Sequence, residues 1–284
     1  MSSCKVKPII VNLNIGDQLT LISCGHVIVE LIKFIAYQRL QIPYTYQWLK
    51  QIVNKKKMCE DQDKKDSFQS ERHFLTASTA LDNLDYILKS ILQEMSGSSI
   101  PEEVCIALGA TPMTCREMYR LILPTLCHKP QCHSPHIASD QKIQRNVFRT
   151  MVTSESLSQV FFDSIPPTNM HIFIRKKSLN NQDTLNSDCF EPTTGCRIPR
   201  KTKVVVMNFQ TDNQENVSCC NEFEIFGESG NVDNLKPRRE IDFEEFEEIE
   251  STDTMKWYQS TYVMKGFKDC VVNGASVTNS WNDS

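Results

Sequence analysis

The longest apolar pattern in the chain lies between residues 18 and 42. Cys24, Ile28, Leu31, Ile32 and Ile35 recur at helical spacing, and Val27 and Phe34 add apolar positions away from that stripe. A helix apolar nearly all round is a buried one, so the pattern predicts a central core helix. The same spacing asks for apolar residues at 38 and 39, where the chain has Gln38 and Arg39. Either the helix leaves the core there, or these two side chains meet something other than solvent. Pro43 ends the pattern, because proline disfavours helical backbone in the residue before it. "YTYQWLKQIV" then restarts as a short second helix with Tyr44, Trp48 and Ile52 on one side. Residues 54–72 are charged and aperiodic, which predicts a flexible connection. A third amphipathic helix carries Leu81, Leu84, Leu88, Ile91 and Met95, and "SGSS" at 96–99 breaks it.

"EVCIALGA" is a short apolar run closed by glycine, the pattern of a buried strand. Thr114 followed three residues on by Glu117 has the capping-box form and predicts a short helix through Tyr119 and Leu123. Residues 125–140 are proline-broken and expected as loop. A helix over 141–152 has Ile143, Val147 and Met151 as its stripe, with Phe148 at the stripe's edge among Gln144, Arg145 and Arg149. The later segments 170–176, 202–210 and 256–267 are β-branched and aromatic, hence strands. Helices first and strands mostly later predict an α+β domain with helices on one face of a largely antiparallel sheet. Residues 18–270 are expected to form one domain, between an N-terminal tail (1–17) and a C-terminal tail (271–284).

Charge sharpens this picture in one place. The net charge is −4, but residues 211–253 hold 14 Asp/Glu against 3 Lys/Arg, leaving the rest mildly basic. No basic cluster is interleaved with aromatics, so the pattern is not a nucleic-acid footprint. The segment 211–253 reads as an acidic, disordered insertion; "EIDFEEFEEIE" within it would show one apolar edge if helical, but a solvating linker is the simpler reading. No apolar run at the N-terminus has signal-peptide form and no stretch reaches the roughly 18 apolar residues of a membrane span. The chain has 12 cysteines at irregular spacing. Without a signal they read as reduced thiols of an intracellular protein.

Candidate chemistry is sparse. Cys127, His128, Cys132, His133 and His136 are zinc-type ligands, but all sit in one proline-broken loop with no second, separated couple. A solvated loop fits them better, with a Cys/His metal-binding regulatory protein as the rival. Cys219 and Cys220 lie in the acidic segment, with nothing to lower their pKa. There is no Gly-rich phosphate loop, no G-x-S-x-G elbow and no H-E-x-x-H. Nothing in the sequence supports an enzyme or calls for a cofactor. Gln38 beside Arg39, and Phe148 framed by arginines, have the composition of a protein–protein hot spot, though a solvated helix end and a core phenylalanine fit periodicity equally well.

"ELIKFIAYQRLQIPYTYQWLK", "LDNLDYILKSIL", "EVCIALGATPMTCREMYRL", "RNVFRTM", "CFEPTTGCRIPRKTKVVV" and "WYQSTYVMKGFKD" resemble, in this order, segments of the Comet family of Mad-two-binding proteins. They cover most of residues 18–268, and "IxYQRxQxP" and "WxQxxxxxKGF" are the most specific. The resemblance implies a HORMA-like fold with a C-terminal safety-belt region and no catalysis. It implies a non-enzymatic adaptor that binds the closed conformer of Mad-two and presents it to a hexameric AAA+ ATPase of the Pch-two type. Mitotic checkpoint complexes are then disassembled and the spindle assembly checkpoint silenced, in nucleus and cytoplasm and at the spindle or kinetochore in mitosis. The family's interface glutamine falls on Gln38, with Arg39 beside it, and its interface phenylalanine on Phe148, with Arg149 next. The ATPase-facing segment corresponds to "FEPTTGCRIP": Pro192, Arg197 and Pro199 match, while Thr193 stands where the family has a lysine. A HORMA protein of the meiotic chromosome axis is the alternative partner.

Overall fold

The computed structural model describes residues 7–15, 19–59, 68–97, 99–124, 140–178, 185–210 and 254–281. The central sheet contains β1 (Ile9–Asn14), β2 (Pro101–Gly109), β3 (Cys115–Ile122), β4 (Asn169–Ser178), β5 (Phe190–Thr193), β6 (Lys203–Gln210), β7 (Thr254–Ser260) and β8 (Met264–Lys265). Their order is β1-β6-β3-β2-β4-β7-β5, with β8 beside β4. β6 runs parallel to both β1 and β3, and every other pairing is antiparallel. The sheet is thus mixed and mostly antiparallel.

Alternation along the strands builds two cores. Val104, Ile106 and Leu108 of β2, Tyr119 and Leu121 of β3, and Ile172 and Ile174 of β4 point into the large core under the helices. The intervening Cys105, Ala107, Met118 and Phe173 point the other way, into a small second core closed by Cys196 and Trp257. β2 is therefore buried on both faces, which explains its nearly unbroken apolar run.

The main core is covered by α1 (Leu21–Gln38), α3 (Phe68–Met95), α4 (Asp140–Thr153) and α5 (Glu155–Phe162), with α2 (Tyr46–Cys59) against α3. Thr20 and Ser23 cap α1 reciprocally, each side chain meeting the other's backbone N–H. α1 is long and apolar enough to cross a membrane by length and composition alone, although it is no unbroken apolar run, and ten of its 18 residues are buried inside the fold. It is the central helix that the pattern predicted. It stops where Leu40 turns left-handed (φ 53°) and Gln41 N–H closes back on Ala36 O at 2.8 Å.

The structure corrects several expectations. Residues 115–122 are strand β3, not a helix: Thr114 closes a 3-10 turn with Thr111, and Glu117, Tyr119 and Leu121 alternate at strand spacing between β2 and β6. The β2–β3 turn needs Gly109, where a Cβ would lie 2.4 Å from Cys115 Cα. The 54–72 connection is shorter than expected, since α2 runs to Cys59 and α3 begins at Phe68. The 256–267 strand is interrupted at 261–263 and continues as β8. Residues 9–14 of the expected N-terminal tail are strand β1, recruited by parallel pairing with β6. The expected C-terminal tail instead forms β9 (Val271–Val272), β10 (Ala275–Ser276) and α6 (Val277–Ser280). Trp281 at its end is buried and donates its indole N–H to Ser70 Oγ at 3.1 Å. The Cys127–His136 cluster, Cys219, Cys220 and the acidic segment 211–253 lie outside the described residues. Among the described residues no group of His, Cys, Asp or Glu is arranged to hold a metal ion.

Candidate functional site

Phe34 organises the candidate surface. It sits on α1 one helical turn before Gln38, so the two side chains share a face. Phe148 of α4 meets the Phe34 ring edge-on, with centroids 5.5 Å apart and planes at 62°. Phe161 of α5 contacts the same ring at 6.1 Å and 68°. Both geometries are the favoured T-shaped arrangement of aromatic pairs. Three helices are thereby pinned around one half-buried ring, and Gln38 and Phe148, 110 positions apart in sequence, come to one surface. Both are half-buried, and Arg149 beside Phe148 is exposed. Tyr37, Leu40, Val152 and Phe162 add exposed apolar area on the same helices and the α1 terminus; Phe162 is 90% exposed. Apolar side chains exposed in this number on the helices that meet at Phe34 make these helices a candidate docking surface.

Arg39 does not belong to that surface. Expected beside Gln38 at the partner interface, it is 1% exposed and points inward. Its Nε donates to Glu117 Oε2 and its Nη2 to Glu117 Oε1, both at 2.8 Å. Nη1 and Nη2 also donate to the carbonyls of Phe161 (3.3 Å) and Asp163 (2.6 Å). Tyr119 completes the cluster by donating its hydroxyl to Glu117 Oε2 at 2.8 Å. Burial, and then the Glu117 charge, push the Tyr119 phenol far above its ordinary value. The fork matches both carboxylate oxygens, so the charge is buried but fully hydrogen-bonded. Position 39 is thus core, as helical spacing requires, with an ion pair in place of a methyl group.

Sequence reasoning missed Glu117, Phe34 and Phe161. A signal for Glu117 existed: read at strand spacing, Glu117 joins Tyr119 and Leu121 on one face and would place a carboxylate where Arg39 needs one.

The two most specific sequence pieces also meet. Gln41 of "YQRLQIP" accepts the Thr168 N–H at Oε1 (2.7 Å) and donates from Nε2 to Arg39 O (2.5 Å). Its carbonyl accepts the Phe267 N–H at 3.0 Å. Gly266 of "KGF" fits because a Cβ there would lie 2.7 Å from both Gln41 Oε1 and Thr168 O.

Pro192 and Arg197 lie elsewhere. Pro192 is on β5, the sheet edge opposite β1, which tolerates a residue without an N–H. Among the described residues β5 joins the sheet only through β7, which lies between it and β4. From β5 a strap, residues 194–202, crosses the sheet face away from the helices and leads into β6, placing Cys196 on the second core and Arg197 in solvent.

A family model, p31comet, described as Mad1 and Cdc20-bound-Mad2 binding, matches residues 7–220. Mad2 is the Mad-two of the sequence resemblance. The mouse MAD2L1-binding protein is 26% identical over 179 residues, which is 63% of this chain and 61% of the mouse protein. The matched region therefore spans about three fifths of that relative's length.

Proposed function

The chain belongs to the p31comet family, and from that premise we propose that it is a non-enzymatic adaptor that binds the closed conformer of Mad2. The observation that carries the reading is the joining of Gln38 and Phe148 on one surface through Phe34. Phe148 is the aromatic anchor, supported from behind by Phe34. Gln38 supplies hydrogen bonds to partner groups as water is excluded, and Arg149 frames the anchor with positive charge. Arg39 holds the end of α1 in place from inside, acting on binding through position rather than contact.

The second half of the proposal concerns the opposite side of the sheet. β5 and the strap form the belt region, and Pro192 and Arg197 face a hexameric AAA+ ATPase that remodels the bound Mad2. An adaptor needs two surfaces that can be occupied together, and helix-side and strap-side surfaces on opposite faces of one sheet meet that need. Thr193, half-buried on β5, cannot make the charge-assisted contact of a lysine, so engagement there rests on Arg197. Disassembly of mitotic checkpoint complexes follows as the cellular role.

The test is to mix the purified chain with closed Mad2 or open Mad2 and follow complex formation by size-exclusion chromatography. ATP, the ATPase and a conformer-sensitive readout are then added. The proposal expects a complex with the closed form alone and conversion to the open form only when this chain is present. Equal capture of both forms, or conversion without this chain, contradicts it. Capture of a meiotic-axis HORMA protein in place of Mad2 would keep the adaptor and change its partner.

A further inference from the structure

A cleft of about 460 Å³ opens where α1 ends. Leu40 and Pro43, which follow α1, line it together with Ile165, Pro166 and Pro167, which follow α5, and with Phe267. Its walls are fixed by residues already described. Arg39 ties the α1 end to the carbonyls of Phe161 and Asp163. Gln41 accepts the Thr168 N–H at its side chain and the Phe267 N–H at its carbonyl. The three prolines have φ set by their rings. Asp269, at the border of the cleft, is held by the hydroxyls of Tyr44 (2.9 Å) and Thr278 (2.6 Å). Lys268 is exposed at the rim. The volume lies in the lower part of the range for pre-formed binding clefts, roughly 300–1,000 Å³, which is room for a large apolar side chain.

Leu40 itself is out of place. Its backbone is left-handed (φ 53°), a conformation that the turn after α1 demands and that glycine or asparagine adopts at least cost. Among the described residues one other non-glycine residue has positive φ, and it is an asparagine, Asn273. A leucine in this conformation is strained. Burial in the core does not offset that strain, because Leu40 is 52% exposed. The local fold asks for a small residue, and the chain instead holds a large apolar side chain in solvent at the mouth of an apolar cleft.

We infer that this cleft is a subsite of the docking surface: it receives an apolar side chain of closed Mad2, and Leu40 covers that side chain from the α1 end. The inference rests on the Mad2-binding reading above and extends it beyond Gln38 and Phe148. Continuity selects the occupant. Leu40 is two residues beyond Gln38, and Ser164 at the cleft border is two beyond the exposed Phe162. The two ends that carry the docking surface thus run directly into the cleft, so a partner seated on that surface lies over its mouth. Burial of Leu40 and of the cleft walls is then gained only in the complex, which is where the strain at Leu40 is offset.

The experiment measures closed-Mad2 affinity and the unfolding midpoint for the full chain and two variants. Leu40→Asn keeps a residue that tolerates the left-handed backbone and removes the apolar side chain. Its unfolding midpoint is expected at or above wild type, and its affinity about tenfold lower. Ser164→Phe, at an exposed position on the cleft border, fills the cleft from this chain's own side and is expected to lower affinity by a similar factor. Wild-type affinity in either folded variant overturns the subsite. A midpoint that falls together with affinity in Leu40→Asn makes Leu40 a structural residue and overturns its role as a contact. Failure of the underlying reading looks different: wild type itself then does not bind closed Mad2, or Gln38→Ala/Phe148→Ala binds as wild type does.

Discussion

Two glutamates on neighbouring strands are buried on opposite faces of the sheet and are treated in different ways. Glu117 faces the helices and meets a guanidinium that is itself buried; both carboxylate oxygens are occupied, and Arg39 gives two further donors to carbonyls. Glu103 faces the strap and is equally buried, yet its partners Arg120 and Arg175 are each about a third exposed. Its Oε1 takes Arg120 Nε at 2.5 Å, while Oε2 has no hydrogen bond and Arg175 Nε stands 3.5 Å away. A closed cluster fixes geometry, because removing either charged member strands the other charge. An open cluster has cations that reach water and a carboxylate oxygen without a hydrogen bond, so its geometry is held less tightly. The first sits behind the candidate docking surface and the second under the strap, so the tightly and the loosely held clusters fall on different faces.

The comparison breaks most visibly at Arg39. Arg39→Ala leaves Glu117 buried without a counter-ion and is expected to cost about 3–5 kcal/mol in denaturant unfolding. Arg39→Lys keeps the charge but loses the fork, and should fall between wild type and alanine. Next in size is the surface itself. Gln38→Ala with Phe148→Ala is expected to weaken closed-Mad2 binding by about 2 kcal/mol or more, about thirtyfold, with the fold retained and a stability loss of only about 1 kcal/mol from the missing Phe34 contact. The open cluster should tolerate more: Arg120→Ala is expected to cost only about 1 kcal/mol, since the pair is partly solvent-screened and Arg175 remains close. Equal losses for Arg39→Ala and Arg120→Ala would erase the distinction.

The smallest effect concerns the C-terminal anchor. His73 pairs with Thr278 Oγ1 at 2.9 Å and lies 3.3 Å from Asp269, and burial lowers its pKa, with Asp269 opposing. The unfolded chain therefore binds a proton at His73 more readily than the folded one. The stability that neutral His73 contributes is complete above the ordinary imidazole pKa and is lost as pH falls through the lowered folded value. Lowering the pH from about 7 to about 5 should reduce the melting temperature more in wild type than in His73→Gln. Identical pH dependence in both proteins would remove His73 from this role.

Periodicity made α1, the Ile143–Met151 helix and strands β2, β4 and β6 legible, because each buries an apolar face that its own period reveals. It failed where tertiary pairing decides. β3 carries a capping-type Thr–Glu spacing, yet two neighbouring strands hold it extended. β1 is too short to declare itself and exists through β6. Gln38 and Arg39 show the limit most clearly. Both interrupt the same apolar stripe and look alike from sequence, but one is half-exposed beside Phe34 and the other closes a buried ion pair. Only knowledge of Glu117, 78 positions away, separates them.

The most direct test of the account is the affinity of closed Mad2, measured by titration calorimetry, for wild type, Gln38→Ala/Phe148→Ala and Arg149→Ala, with circular dichroism to verify the fold. The account predicts loss of binding in the folded double variant and a small, salt-dependent loss for Arg149→Ala. A folded double variant that binds closed Mad2 as tightly as wild type would contradict it and move the interface away from the α1–α4 surface.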